Sequence, residues 1–288
     1  MNPKMHPAFS PSNVAVITGG ASGIGLAAAK RFAAMGLKVA IADLGGDKLD
    51  GAKAAVAKQT DPENVIAVAT DVTNVDHLQH LQQTIEQEFG DVDILMNNAG
   101  IQPGSSIFNP DGWTRIIDVN LFGIIRGSQV FGPKMILRQK PGLIINTGSK
   151  QGITTPPGDP AYNVSKAGVK TFTEALQHEL RNTKNCHVTA HLFIPGFVYT
   201  PLTAGDRTEK PAGAWTPEET VDFMLDHVSA GDFYILCPDN DVARDLDERR
   251  ILWAAKDIIQ NRPPLSRWHP DYQSEFADFL KRRDEGQE

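Results

Sequence analysis

A run of apolar, β-prone residues that breaks directly into a glycine-rich turn and then a helix constrains this chain more than any other stretch. Residues 13–18 (N-V-A-V-I-T) read as a buried strand, G-G-A-S-G-I-G follows at once, and a helical pattern runs to Met35 with Gly36 as its C-cap. Strand, glycine turn and helix in that order form the first half of a βαβ unit. There, the bare backbone amides of a helix N-terminus donate to a phosphate. The spacing is Gly19-x-x-x-Gly23-x-Gly25 and differs from the more general G-x-G-x-x-G.

The same punctuation recurs along the chain. Lys38 to Asp43 (K-V-A-I-A-D) is a second buried strand ending in a carboxylate, placed to accept hydrogen bonds from a ribose and to repel a 2′-phosphate. No Lys or Arg stands in G-G-A-S-G or directly after that strand to offset the charge. Residues 64–69 form a third strand ending near Asp71 and Val72. Thr73-x-x-Asp76 then has the form of a capping box opening a polar helix to about Phe89. His77 and His80 on that helix lack further ligand residues and read as a solvated face, so no metal site is expected. Val92 to Met96 is a fourth strand running into Asn97-Asn98-Ala99-Gly100, and residues 111–138 read as one long helix. His187 to Ile194 and Phe233 to Cys237 complete the strands, with His187 and His191 expected to be packed and hydrogen-bonded.

Between the fourth and sixth strands lies the stretch with the most chemistry. Gly142 to Ile145 is a short strand, so Ser149 falls just past its carboxyl end. Asp159-Pro160 has the form of a helix start, a capping Asp followed by Pro at the first helical position. Tyr162 then lies in the first turn, and Lys166 lies on the same face one turn later. For a phenol of pKa ~10 to act as a base near neutrality, it needs a shift of roughly three units, about 4 kcal/mol. An adjacent ammonium and the positive end of a helix both act in that direction.

Taken jointly, T-G-G-A-S-G-I-G, N-N-A-G, and Ser149 with Tyr162-x-x-x-Lys166 resemble the short-chain dehydrogenase/reductase family over roughly residues 12–240. The resemblance implies a Rossmann-like α/β fold. Its doubly wound parallel sheet has about seven strands, with helices on both faces and NAD across the carboxyl ends of the strands. It implies a catalytic set of Asn120 (in V-N-L-F-G), Ser149, Tyr162 and Lys166. It also implies cofactor contacts from Gly19, Ser22, Gly23, Ile24 and Gly25 in the loop; from Asp43, Leu44, Asp71 and Val72 at the adenosine end; and from Asn98, Ala99 and Gly100. Tyr162, Lys166 and the P-G-x-x-x-T residues Pro195, Gly196, Val198 and Thr200 would complete the nicotinamide end. The expected reaction is reversible hydride transfer between NAD and a secondary alcohol or ketone, that is, an NAD-dependent short-chain alcohol dehydrogenase or ketoreductase. Two rivals are a non-catalytic NAD-binding sensor or scaffold and an epimerase or dehydratase of the same family. The first would be expected to lose Tyr162 or Lys166. The second tends to carry a larger C-terminal domain.

Composition agrees with a single catalytic domain. At 288 residues, with 41% hydrophobic and 22% charged, the chain can bury a large core. A net charge of −7 without a basic block argues against nucleic acid as a partner. Cys186 and Cys237 make no C-x-x-C motif. The N-terminus lacks the apolar core of a signal peptide, and no apolar run is long enough to span a membrane. The expected protein is therefore cytoplasmic and binds no membrane, and the family resemblance implies that it acts on a small molecule as a homo-dimer or homo-tetramer. Residues 1–11 read as a tail and 201–215 as an aperiodic substrate loop. Thr216-Pro217-Glu218-Glu219 reads as a helix start, and 241–288 as a helical extension beyond the catalytic domain. In that extension Tyr272, Phe276, Phe279 and Leu280 fall on one helical face, which must dock on the same domain or on a neighbouring subunit.

Overall fold

The computed structural model describes residues 5–281. The chain alternates strands and helices. β1 (Val14–Thr18), α1 (Gly23–Ala34), β2 (Lys38–Asp43), α2 (Asp47–Val56), β3 (Val65–Ala69), α3 (Val75–Glu88) and β4 (Ile94–Asn97) form the first half. α4 (Trp113–Ile117), α5 (Gly123–Leu137), β5 (Gly142–Thr147), α6 (Gln151–Thr154), α7 (Pro160–Asn182) and β6 (Val188–Ile194) follow. After them come α8 (Pro201–Ala204), α9 (Pro217–Ala230), β7 (Tyr234–Leu236), α10 (Arg244–Ile259) and α11 (Gln273–Lys281). All seven strands pair in parallel in the order β3-β2-β1-β4-β5-β6-β7.

The continuous apolar strands follow from this layering, because a parallel sheet covered on both faces leaves no polar side. Along β1, Ala15 and Ile17 enter one core with Phe32 of α1 and Met224 of α9. Val14 and Val16 enter the other with Leu81 of α3 and Phe131 of α5. The strand order reverses between β1 and β4, and such a switch point opens a crevice at the strand carboxyl ends.

Several local expectations give way to the fold. The expected single helix over 111–138 is interrupted by a π-helical turn at Asp118–Phe122, where the Gly123 amide donates to the Asp118 carbonyl. Asn74, not Thr73, caps α3, its Oδ1 accepting the Asp76 amide at 2.8 Å. Thr73 bonds back to Asp71 instead. The aperiodic stretch after Thr200 holds one short helix, α8, opened by a Thr200–Thr203 capping box. The Thr216–Glu219 box that opens α9 forms as the sequence reads. His187 is exposed, whereas His191 is buried between Thr189 and the Asp232 carbonyl. No helix among the described residues is long and apolar enough to cross a membrane.

The extension folds around one residue. Trp253 of α10 is 2% exposed and donates to Ser266 Oγ at 2.8 Å. The Arg262 guanidinium covers one face at 3.9 Å, and Phe276 and Phe279 of α11 pack at 5.1 and 5.2 Å. The apolar face of the tail thus lies on α10, and α10 lies against α6, beside Ser149. Trp253→Ala is expected to destabilise the protein by about 3–5 kcal/mol, as for other buried Trp truncations. Denaturant unfolding measures it, and a loss under ~1 kcal/mol would mean that the extension unfolds separately from the sheet.

Candidate active site

The crevice at the switch point is a cavity of about 720 Å³. At its floor Gly19 and Gly23 have φ of +66° and +52°, in the left-handed region that glycine adopts without strain. Gly25 does not line the cavity. It lets α1 approach the turn, since a Cβ there would collide with the Gly19 carbonyl. The Ser22 side chain makes no capping hydrogen bond to α1, so its first-turn amides are not taken up by it. This loop fits a dinucleotide pyrophosphate, through backbone amides and the positive end of α1.

Asp43 ties the loop to the end of β2. Its Oδ2 accepts the Ala21 amide at 2.9 Å and its Oδ1 the Leu44 amide at 2.8 Å. Leu44, Asp71 and Val72 line the same end of the cavity. Two basic residues also line the cavity, Lys48 in the first turn of α2 and Arg115 of α4. Neither stands in the glycine loop or directly after β2, so no motif spacing signals them. Partial burial pushes Asp71 up, but two hydrogen bonds from Thr73, with smaller contributions from His77 and Arg115, outweigh it and hold the carboxyl below the usual carboxylate range.

The N-N-A-G residues brace the strand ends. Asn97 is paired in register with Asn146, donating to its Oδ1 at 2.9 Å, and Asn146 donates onward to Thr173 at 3.1 Å. Thr18 Oγ1 accepts the amides of both Asn98 and Ala99, and the Asn98 side chain reaches the Gly19 carbonyl. Asn98, Ala99 and Gly100 thereby line the cavity directly against the glycine turn.

Ser149, Tyr162 and Lys166 converge on the cavity, whereas Asn120 is fully buried behind them. The Asn120 side chain accepts the Ile101 amide at 2.8 Å, donates to the Ile101 carbonyl at 2.9 Å and reaches Ser165 at 3.3 Å. Lys166 Nζ donates to the Thr147 carbonyl at 2.8 Å and lies 5.8 Å from the centre of the Tyr162 ring. Tyr162 is 7% exposed and Lys166 4%. Burial pushes the phenol up to about 12; a hydrogen bond with Ser149 opposes this, and the charge of Asp159 adds to it. Burial lowers the ammonium to about 8. The expectation that Lys166 and the helix end bring the phenol down is therefore overturned for the protein alone. Desolvation dominates because both groups lie in the same dry wall.

The start of α7 also departs from expectation. Asp159 makes no capping bond with its side chain. Instead, Ser105 Oγ accepts the Ala161 amide at 2.9 Å and donates to Asp159 Oδ1. A residue of the β4–α4 loop thus caps the helix that carries Tyr162. Nothing local in the sequence signals such a pairing. The P-G-x-x-x-T residues Pro195, Gly196, Val198 and Thr200 also line the cavity, Thr200 lying against Gly23.

A sheet with this order, a glycine turn at its switch point and a Ser–Tyr–Lys cluster beside it define a nucleotide-dependent oxidoreductase. The chain belongs to the short-chain dehydrogenase/reductase family, whose short chain dehydrogenase pattern matches residues 13–211. It is 38% identical over 193 residues to an uncharacterized oxidoreductase of Staphylococcus aureus, covering 66% of this chain and 80% of that one. It is 36% identical over 194 residues to a 3-oxoacyl-[acyl-carrier-protein] reductase of Thermotoga maritima, covering 66% and 76%. A family member from Burkholderia phymatum, solved in complex with NAD, superposes with a TM-score of 0.79 at 29% identity, covering 89% of this chain and 97% of that one.

Proposed function

We propose that this oxidoreductase transfers hydride reversibly between NAD and a secondary alcohol or ketone, with Tyr162 exchanging the hydroxyl proton. The observation that carries the reading is the buried phenol of Tyr162, hydrogen-bonded with Ser149 and facing the cavity, with Lys166 behind it. The nicotinamide supplies the hydride chemistry; the chain supplies position and electrostatics. A phenol near 12 is a competent proton donor at neutral pH, which suits reduction of a ketone. In the oxidative direction it must lose its proton, and positive charge brought close to it favours that form. Lys166 polarises the pocket from behind and would hold the nicotinamide ribose. Ser149 hydrogen-bonds the substrate oxygen. Asn120 braces Ile101 beside Lys166 and anchors the proton path.

Asp43 supports NAD as the cofactor, and the NAD complex of the Burkholderia phymatum relative agrees with it. The Thermotoga maritima relative reduces a 3-oxoacyl group, also a ketone, so acyl substrates belong in the same test. Retention of both Tyr162 and Lys166 argues against a non-catalytic sensor. The working form in this reading is a cytoplasmic homo-dimer or homo-tetramer. A panel of alcohols, ketones and 3-oxoacyl thioesters followed by NADH absorbance tests the proposal. Oxidation or reduction of at least one class supports it, and NADH binding without turnover of any would favour the sensor.

A further inference from the structure

Lys150 is next to Ser149 in sequence but faces away from the cofactor cavity. Its ammonium lies 3.1 Å from Asp239 Oδ2 and 2.5 Å from Asp247 Oδ2, with side chains only 16%, 6% and 6% exposed. Asp239 follows β7, and Asp247 lies in the first turn of α10. The same Oδ2 of Asp239 accepts the Phe197 amide at 3.1 Å. A Cβ on Gly196 would approach that oxygen to 2.8 Å and Lys150 Nζ to 3.0 Å, so the ion pair rests directly on the Pro195–Gly196–Phe197 turn. Pro195 and Gly196 line the cavity on their other side. One cation thus joins three segments far apart in sequence: the Ser149 turn, the β6 turn and the C-terminal extension.

Buried charges of this kind are expensive to leave unpaired and are weak evidence for stability. What the cluster does supply is position. The Phe197 amide has its partner in Asp239 and not in a strand, so the path of the Pro195–Gly196 wall depends on where Asp239 is held. Lys150 and the start of α10 hold it. We infer that Lys150, clamped by Asp239 and Asp247, is a positioning residue that sets the wall facing the nicotinamide half of the cofactor, and that α10 thereby forms part of the active site. This inference rests on the proposed function for the placement of the nicotinamide.

The test compares two nucleotides on the full chain. NADH carries both halves of the cofactor, whereas ADP-ribose carries only the half bound at the glycine loop and Asp43. Lys150→Met, which keeps the length of the side chain, is expected to weaken NADH binding by about tenfold, the scale of a small misplacement of a positioning group. ADP-ribose binding should stay within about twofold in the same protein. Asp239→Ala should behave like Lys150→Met. Asp239→Asn, whose amide oxygen still accepts the Phe197 amide and faces Lys150, should bind NADH close to wild type. Equal weakening of both nucleotides, or no change in either, overturns the inference and leaves the cluster a structural ion pair. If Lys150→Met does not fold, the pair of Asp239 variants decides on the same criterion. A wild-type protein that binds neither nucleotide overturns the proposed function and this inference with it.

Discussion

Replacing Tyr162 with Phe is expected to lower kcat by at least about 10²-fold, the lower range for loss of a positioned acid or base. The substitution keeps the ring that burial holds in place and removes only the hydroxyl, which interacts with Ser149. Binding of NADH should be nearly unchanged, because the glycine turn and Asp43 lie at the other end of the cavity. Stopped-flow or steady-state rates with the best substrate from the panel measure the effect. A Phe variant that retains more than a tenth of the wild-type rate would remove Tyr162 from the chemistry. Lys166→Ala should lower rate and cofactor affinity together. It deletes the positive charge behind the phenol and also leaves the Thr147 carbonyl, which lines the same cavity, without its donor.

The second large effect is cofactor choice. Wild type should prefer NAD over NADP by at least about 100-fold in kcat/KM, equivalent to about 2.7 kcal/mol. A 2′-phosphate would bring its charge to the Asp43 carboxylate, which the amides of Ala21 and Leu44 fix in place. Lys48 lines the same cavity and acts in the opposite sense, but it is exposed on a flexible stem, where solvent and salt screen it. Asp43→Ala should narrow the gap while weakening both cofactors, because it also releases the two loop amides. Lys48→Ala should widen the gap. Equal use of NAD and NADP by wild type would sink this assignment.

How much of this was legible depends on the range over which each feature is determined. The strand–glycine turn–helix start, the acid at the end of β2, N-N-A-G at the end of β4 and the Tyr162–Lys166 pair one helical turn apart are set within a few residues. Strand period, helical rise and turn chemistry operate on that scale. The sequence by itself therefore determined the βαβ start and the placing of Ser149, Tyr162 and Lys166 at the crevice, while the resemblance supplied the rest of the doubly wound order. All the residues read as cofactor contacts line the cavity except Gly25, whose part is to let α1 pack against the turn.

Tertiary structure decided the rest, because desolvation and pairing depend on which surfaces meet. The phenol rises to about 12 instead of falling, since the wall that brings Lys166 near also excludes water from both groups. Ser105 caps α7 at the Ala161 amide across 56 residues, a contact with no local periodicity to announce it. The aromatic face of α11 was readable as a face, but its partner Trp253 was not, since amphipathicity states that a surface must be covered and not by what. Lys150 carries no local signal beside Ser149. Only the fold brings Asp239 and Asp247 to it, and an ion pair buried between a cofactor wall and a C-terminal helix exists only once both are in place.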